Sequence, residues 1–584
     1  MTAKKTVFQP DWFEDTAPPG SFRSILKWGG PTEFKHPNRR LYALMKKTFG
    51  MTDVDFQRRE KTGLEQVPQD IPSHMKKEHL DALTAIVGSE NVRTDAYSRL
   101  QVAYGKTMVD LMRLREGIVE NVPDVVLHPS STADIESIVR FCDDQRIPLY
   151  VYGGGSSVTR GVEAVRGGVT LDMRVHMNRV VRFSEKNHTI TVQAGMSGPD
   201  LEQALNEAPE RFHAVRKYTC GHFPQSFEYS TVGGWVVTRG AGQNSTYYGK
   251  IEDLVVCQEY VTPVGMLRTG EYPATATGPS IDEIMMGSEG AFGVLTEVTL
   301  RVFHLMPENQ RRFSYVFRTW EESRQAAQEI MQGQFGFPSV FRLSDPEETD
   351  VALKLYGVEG TVIDRILSAR GYRPMERCLM LGFTDGEAAF TRSVARNIGR
   401  ICRRHGAMYT TGFVTRGWEK GRFRDPYMRE DLEDYGIMTD TLECAVNWEN
   451  LESVYESVRA FCHSRPKTIC TTHMSHFYPQ GCNLYFIFIA RLDEIPEYVT
   501  YQMGILDAIQ KSGAAMSHHH GIGKMTAPWL EAQIGTPAMD VYRALKRHFD
   551  PHGIMNPGGT LGLDLSPELR RDFTRDLTSL HSEH

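Results

Sequence analysis

The sequence predicts an α+β protein, in which a strand-helix-strand module precedes an antiparallel sheet flanked by helices. Two patterns predict this fold class. Over residues 123–161, a short apolar strand, an amphipathic helix and a second strand lead into a glycine-rich loop. Over about residues 306–515, helical runs such as Glu321 to Met331 alternate with strands such as Leu484 to Ala490. A chain of 584 residues is long enough for roughly two to four domains.

The glycine-rich loop follows the apolar run Ile147 to Val151 and reads Tyr152-Gly153-Gly154-Gly155-Ser156-Ser157-Val158. Because glycines lack Cβ atoms, successive backbone N–H groups can converge on phosphate oxygens, and the two serine hydroxyls add donors. A tight turn between strands would use the same glycines. The loop has neither the Gly-Lys-Ser/Thr of a Walker loop nor the Gly-x-Gly-x-x-Gly spacing of a dinucleotide fingerprint.

Further segments follow this loop in a fixed order. They are Asp172-Met173, Val192 to Gly195, Ser230 to Trp235, Tyr248 to Val255 and Gly287 to Thr296. In order and spacing they resemble the PCMH-type FAD-binding domain of the vanillyl-alcohol oxidase superfamily. The resemblance implies a module of two subdomains that binds FAD non-covalently, with the glycine loop at the pyrophosphate. The FAD-binding residues it implies are Tyr152, Gly153, Gly154, Gly155, Ser156, Ser157, Val158, Gln225, Ser226, Ser230, Thr231, Gly234, Thr238, Arg239, Glu289, Gly290 and Val294.

Composition excludes several other classes of protein. With 66 basic and 73 acidic residues the net charge is −7, and no basic tract points to nucleic acid. No apolar run reaches the length of a membrane span, and the N-terminal residues show neither a secretory core nor a peroxisomal signal. The nine cysteines are scattered without Cys-x-x-Cys spacing, which is typical of reduced thiols. We therefore expect a cytoplasmic protein, with peripheral contact to the inner membrane surface.

Four regions are predicted along the chain. Residues 1–117 form a charged, helix-rich N-terminal region, and residues 118–305 form the FAD-binding domain. Residues 306–515 form a substrate domain that caps the flavin ring, and residues 516–584 form a C-terminal segment that returns to the FAD-binding domain.

Three consecutive histidines, His518, His519 and His520, precede the turn Gly521-Ile522-Gly523. Adjacent imidazoles depress one another's protonation, so the cluster can exchange protons near neutral pH. If the segment is extended, the first and third rings share one face and the second points away. A solvated, histidine-rich loop would have the same sequence.

The histidine triplet, Leu26 to Gly30, Leu114 to Gly117 and Phe227 to Arg239 together resemble the alkyldihydroxyacetonephosphate synthase family over nearly the whole chain. The resemblance implies an enzyme of ether-lipid synthesis. It would exchange the acyl chain of acyl-dihydroxyacetonephosphate for a long-chain fatty alcohol, with FAD bound and no net redox change. The family also suggests a homodimer.

Other residues take their expected roles from the same resemblance. Tyr485 matches the family's catalytic tyrosine, although a strand aromatic at this position is more commonly a core residue. His518, His519 and His520 join it as catalytic candidates. Arg429 and Arg342 match arginines placed around the substrate, where one guanidinium fits a phosphate clamp, and Thr441 stands where the family has a serine.

Some positions depart from the family pattern and keep alternatives open. Gln225 replaces an aspartate beside the flavin, and His473 and His476 lie in a segment that is longer than expected. FAD-linked 2-hydroxy-acid dehydrogenases would have a histidine at Tyr485 and a glutamate at His519, so we expect no metal site. An FAD-linked dehydrogenase or oxidase of a hydroxy acid or alcohol, and a flavoprotein that only stores its cofactor, remain alternatives.

Overall fold

The computed structural model describes residues 10–571 except residues 14, 57–60 and 493. The chain divides into two compact units. The glycine-loop unit comprises Gln66–Leu111, Gly117–Leu305 and Ala515–His584, and the seven-stranded unit comprises Met1–Glu65, Met112–Glu116 and Met306–Ala514. The predicted N-terminal region thus contributes residues to both units. Its first nine residues, and residues 572–584 of the predicted C-terminal segment, lie outside the described residues.

The glycine-loop unit contains a mixed sheet and an antiparallel sheet. Its strands are β1 (Val92–Arg93), β2 (Val125–Leu127), β3 (Leu149–Tyr152), β4 (Val169–Asp172), β5 (Val180–Ser184), β6 (Thr189–Gln193), β7 (Tyr218–Thr219), β8 (Val255–Thr262), β9 (Gly265–Arg268), β10 (Val294–Arg301) and β11 (Phe303–His304). The four-stranded sheet has the order β1-β2-β4-β3, with β2 and β3 parallel to β4. The five-stranded sheet has the order β5-β6-β10-β8-β9 and is antiparallel.

The seven-stranded unit contains one antiparallel sheet. Its strands are β12 (Arg311–Phe317), β13 (Val340–Ser344), β14 (Cys378–Thr384), β15 (Met408–Tyr409), β16 (Ile437–Asn447), β17 (Ile469–Tyr478) and β18 (Gly481–Arg491). They follow the order β15-β12-β14-β13-β17-β18-β16. The predicted strand at residues 484–490 lies inside β18, so the antiparallel sheet expected here is confirmed.

Helices occur in both units, and none among the described residues is long and apolar enough to cross a membrane. They are α1 (Phe22–Leu26), α2 (Arg39–Phe49), α3 (Lys77–Val87), α4 (Ala96–Gln101), α5 (Met108–Arg115), α6 (Thr132–Gln145), α7 (Gly198–Asn206), α8 (Ala208–Phe212), α9 (Val232–Val237), α10 (Ser245–Tyr248), α11 (Ile251–Leu254), α12 (Ile281–Met285), α13 (Trp320–Gln332), α14 (Pro346–Leu355), α15 (Val362–Ala369), α16 (Ala388–Arg404), α17 (Gly412–Gly421), α18 (Arg429–Glu433), α19 (Leu451–Ser464), α20 (Ile495–Lys511), α21 (Ala527–Ile534) and α22 (Thr536–Phe549).

The module that leads into the glycine loop folds as its local sequence predicts. The hydroxyl of Ser131 accepts a hydrogen bond from the amide of Asp134 and caps α6. The apolar stripe of α6 is buried, and its C-terminal turn ends at Arg146 in the left-handed conformation. The chain then enters β3 and reaches the loop. At the C-terminal end of the chain, the amide of Asn556 donates to the carbonyl of Leu149 in β3.

Helix α2 fixes part of the N-terminal region in the seven-stranded unit. The side chain of Asn38 accepts hydrogen bonds from the amides of Arg40 and Leu41 and starts the helix. Its buried face packs into one apolar cluster with residues of α18 and of β16, β17 and β18. The cluster includes Leu41, Tyr42, Met45, Phe49, Leu432, Tyr435, Ile437, Ile469 and Ile489. Burial of such side chains supplies roughly 1.5–3 kcal/mol each, so this part of the N-terminal region belongs to the core of the unit.

Candidate functional site

The glycine loop is shaped by the close approach of a second segment. A Cβ on Gly153 would lie 2.4 Å from Thr231 Oγ1, and a Cβ on Gly154 would lie 2.2 Å from the carbonyl oxygen of Tyr229. Gly155 has φ +68°, which favours glycine. Residues 153–155 must therefore be glycine for the loop to pack against residues 229–231. The two segments, which lie far apart in sequence, form one site.

The same loop presents unsatisfied hydrogen-bond donors. Within the described residues, the backbone amides of residues 154–158 donate to no acceptor of the protein. The hydroxyl of Ser157 accepts from the amides of Thr159 and Gly161, which curls the chain after the loop. Consecutive free amides of this kind form an anion-binding concavity. The loop thus fits the pyrophosphate of FAD.

A second wall of the site is built around α9. Thr231 caps this helix by accepting from the amide of Gly234, and Ser230 Oγ accepts from Trp235 Nε1 at 2.8 Å. The amide of Glu289 donates to the carbonyl of Val237 at 2.9 Å, which brings the segment around Glu289 and Gly290 to the end of the helix. The predicted FAD-binding segments are therefore neighbours in the glycine-loop unit.

The other predicted FAD-binding side chains have protein partners. Arg239 forms ion pairs with Glu283 at 2.9 Å and Glu252 at 3.7 Å. Gln225 Oε1 accepts from Gln243 Nε2 at 3.1 Å. The carbonyl of Ser226 accepts hydrogen bonds from the amides of residues 229 and 230, and Thr238 Oγ1 donates to the carbonyl of residue 234. Val294 is buried at the start of β10.

Glu289 holds the turn that follows the histidine triplet. Its carboxylate accepts hydrogen bonds from the amides of Ile522 and Gly523, both at 2.6 Å. Burial raises the pKa of Glu289 to about 7, although these two amides oppose the shift. The side chain of Asn556 donates to the carbonyl of Glu289 at 2.7 Å. Sequence reasoning missed this role, although a glycine-flanked turn with exposed amides is a signal for an acceptor nearby.

The histidine triplet is not extended. Ser517 Oγ accepts from the amide of His520 at 3.1 Å, which closes a bend. The Nδ1 atoms of His518 and His519 are 3.0 Å apart, and the rings of His519 and His520 have centroids 4.6 Å apart. The extended segment on which a shared face of the first and third rings depends is therefore not formed, because the serine hydroxyl closes the bend. Lys250 Nζ donates to the carbonyl of His518 at 2.9 Å and supports the bend.

Tyr485 and Thr441 lie side by side in the seven-stranded unit. They project from the paired strands β18 and β16, and the Tyr485 hydroxyl donates to Thr441 Oγ1 at 3.1 Å. Burial raises the pKa of Tyr485 to about 12, while the hydrogen bond with Thr441 and the charge of Arg429 act in the opposite direction. The phenol therefore carries its proton at neutral pH. The guanidinium of Arg429 lies over the ring of Trp28 at 5.8 Å.

Arg342 belongs to a buried polar group that reaches Tyr485. Its Nη2 lies 2.7 Å from Glu348 Oε1, and His473 Nδ1 lies 3.1 Å from the same oxygen. The ring of His473 stacks on the ring of Tyr485, with centroids 4.9 Å apart and planes at 22°. Sequence reasoning did not find Glu348, and it named His473 only as a departure from the family pattern.

Comparisons with known proteins agree with this geometry. Residues 123–270 match the family described as "FAD binding domain", and residues 306–560 match "FAD linked oxidases, C-terminal domain". The chain is 30% identical to the alkyldihydroxyacetonephosphate synthase of Dictyostelium discoideum over 506 residues, covering 83% of this chain and 81% of that protein. It is also 30% identical to the uncharacterised FAD-linked oxidoreductase YgcU of Escherichia coli, covering 82% and 97%.

A solved structure extends the likeness to three dimensions. A crystal structure of alkyldihydroxyacetonephosphate synthase superposes with a TM-score of 0.77 at 26% identity, covering 92% of this chain and 99% of that chain. The FAD-binding module and the antiparallel cap-type sheet expected from the sequence are thereby confirmed.

Proposed function

Because the chain belongs to the alkyldihydroxyacetonephosphate synthase family of FAD-binding proteins, we propose that it replaces the acyl chain of acyl-dihydroxyacetonephosphate with a long-chain fatty alcohol. The products are alkyl-dihydroxyacetonephosphate and a fatty acid, so atoms balance without an oxidant or a reductant. FAD, when bound, would supply an electron-accepting ring.

The glycine-loop unit holds the cofactor. The free amides of residues 154–158 bind the pyrophosphate, and the segments at Ser230 to Thr238 and at Glu289 and Gly290 complete the cradle. We propose that FAD is held non-covalently by these contacts and is released when the protein is denatured. Flavin that stays with the precipitated chain would contradict this proposal.

The observation that carries the proposed function is the hydroxyl pair of Tyr485 and Thr441. A phenol with a pKa of about 12 keeps its proton at neutral pH and so has a proton to give to the departing carboxylate. The same oxygen can take up the proton of the incoming alcohol. The pair therefore supports proton exchange in both halves of the reaction without a change of redox state.

The remaining candidates take supporting roles. We propose that Arg429 binds the phosphate of the substrate, since a guanidinium presents two parallel donors to phosphate oxygens. The histidine cluster, held in its bend by Ser517, Glu289 and Lys250, supplies a second group that exchanges protons near neutral pH.

Product analysis tests the function directly. The purified protein is incubated with hexadecanoyl-dihydroxyacetonephosphate and hexadecanol, and the expected products are the hexadecyl ether and one free fatty acid for each ether formed. A parallel incubation with D-lactate and an artificial electron acceptor addresses the alternative that the YgcU relative suggests. Reduction of the acceptor without ether formation would contradict the proposal and show that the protein is a dehydrogenase.

We further propose that the protein meets its lipid substrates at a membrane surface. Val362, Ile363 and Ile366 of α15 are 66%, 63% and 49% exposed, and Arg365 on the same helix is exposed as well. The acidic Asp364 faces inward and pairs with Arg377 at 2.8 Å. An exposed face of apolar and basic side chains suits anionic lipid. Ile363→Asp should weaken binding to phosphatidylglycerol vesicles in a sedimentation assay, and unchanged binding would contradict this surface.

We also propose that the protein is cytoplasmic and forms a homodimer. All nine cysteines are buried and unpaired, which supports a reducing, cytoplasmic location. The homodimer follows from the family resemblance. Fractionation of cells and analytical ultracentrifugation of the purified protein test the two statements.

A further inference from the structure

His473 and Tyr485 form a direct cross-strand pair. The register of β17 and β18 places these two residues opposite each other, and Glu443 of β16 lies opposite Tyr485 on the other side. Rings that face each other on neighbouring strands pack against one another. The stacking distance of 4.9 Å shows that this pair does so.

The orientation of the His473 ring is fixed by a second contact, with Glu348. Glu348, at the start of α14, accepts from His473 Nδ1 at 3.1 Å and from Arg342 Nη2 at 2.7 Å. Burial would raise the pKa of Glu348, but the charge of Arg342 and the contact with His473 hold it below its usual range. An ionised acceptor requires that Nδ1 carries the proton, which fixes the tautomer.

The histidine itself stays neutral. Burial lowers the pKa of His473, and the nearby charge of Arg342 lowers it further. A neutral ring stacked on the phenol does not compete for its proton. It instead limits rotation of the Tyr485 ring, whose hydroxyl is directed to Thr441 at 3.1 Å.

We propose that His473 is a positioning residue for Tyr485, and that Glu348, paired with Arg342, holds the His473 ring in its orientation. The inference rests on the proposed role of Tyr485 in proton exchange. It also gives Arg342 a function within the protein, since its guanidinium holds Glu348 by an ion pair. A misplaced reacting group can cost about a hundredfold in rate, so loss of this arrangement should lower kcat by roughly tenfold to a hundredfold.

Two variants separate the two contacts of His473. His473→Phe keeps a ring for stacking and loses the bond to Glu348, whereas His473→Asn keeps a donor for Glu348 and loses the ring. Both should lower kcat while KM changes by no more than about twofold, because neither variant replaces Arg429, the proposed phosphate-binding residue. The matched control is His463→Asn, because His463 also bonds a glutamate of α14, Glu347, at 3.1 Å. This control should retain full activity.

The decisive comparison repeats both substitutions in a Tyr485→Phe background. If His473 acts through the tyrosine hydroxyl, they cause no further loss of activity there. An equal loss in both backgrounds would show a merely structural role and overturn the inference, as would full activity of both single variants.

The contact between His473 and Tyr485 can also be tested by ¹⁹F NMR, which does not depend on the proposed activity. In protein labelled with 3-fluorotyrosine, the ¹⁹F resonance that disappears in Tyr485→Phe belongs to Tyr485. This resonance should shift or broaden in His473→Asn and stay unchanged in His463→Asn. If the wild-type protein makes no ether product, the proposed function fails, and a shifted resonance still supports the positioning contact. An unchanged resonance overturns it.

Discussion

The glycine loop is formed by the backbone of one short segment, whereas the Tyr485 pair is formed by side chains from several elements. The loop offers backbone amides without protein acceptors, and its three glycines are needed because a Cβ would clash with neighbouring atoms. The hydroxyl of Tyr485 depends on side chains from four strands or helices, which sheet register brings together. The first site can therefore be recognised from a local motif. The second depends on long-range pairing, and substitutions should affect the two sites differently.

Substitution of Tyr485 should produce the largest change in rate. Tyr485→Phe keeps the ring and its stacking on His473 but removes the hydroxyl, so folding and flavin content should be retained. Loss of positioned acid-base catalysis typically costs about a hundredfold to ten-thousandfold in rate. Tyr315→Phe, in β12 of the same sheet, is the matched control. Full synthase activity in Tyr485→Phe would remove Tyr485 from the mechanism.

Gly154→Ala should damage the glycine loop and leave the Tyr485 pair intact. The added Cβ would lie 2.2 Å from the carbonyl oxygen of Tyr229 and 2.7 Å from Ser230 Cα, so the loop must move. Overpacking of this kind costs on the order of 1–3 kcal/mol, and the displaced amides should lose most of the bound FAD. Flavin absorbance per protein measures the effect. Gly417→Ala, where the new Cβ meets nothing within 4 Å, should leave it unchanged.

Thr441→Val tests the partner of the phenol with a nearly isosteric side chain. The hydroxyl of Thr441 lowers the pKa of Tyr485, so its removal should raise that pKa further and slow proton release. We expect about a tenfold loss of kcat with unchanged flavin content. Thr441→Ser should restore most of the rate. Equal rates for the valine and serine variants would show that the hydroxyl is not needed.

The smallest expected effect is a pH dependence at Glu289. Its folded-state pKa of about 7 lies above the unfolded value of 4.5, so its contribution to stability is present below about pH 4.5 and is lost as the pH rises through 7. Glu289→Gln does not titrate. The free energy of unfolding of the variant minus that of the wild type should therefore increase by about 1–3 kcal/mol from pH 5 to pH 8. Urea denaturation measures it, and a difference independent of pH would contradict the assignment.

Local signals explain which parts could be predicted from the sequence. Ser131, the stripe of α6 and the glycine loop specify the FAD-binding module within a short stretch, and the structure confirms them. The partnership of Glu348 with His473 could not be predicted, because it depends on how β13 and β17 pair. Whether the histidine triplet is extended could not be predicted, since the bend is closed by one hydrogen bond from the amide of His520 to Ser517 Oγ.

The central claim is an exchange of chains on a bound FAD without net redox change. The most direct measurement follows flavin absorbance and products together in an anaerobic reaction with acyl-dihydroxyacetonephosphate and hexadecanol. We expect ether and fatty acid in equal amounts over many turnovers, with the flavin still oxidised when the substrate is consumed. Bleaching of the flavin by acyl-dihydroxyacetonephosphate or hexadecanol, in proportion to substrate lost and with no ether formed, would contradict it.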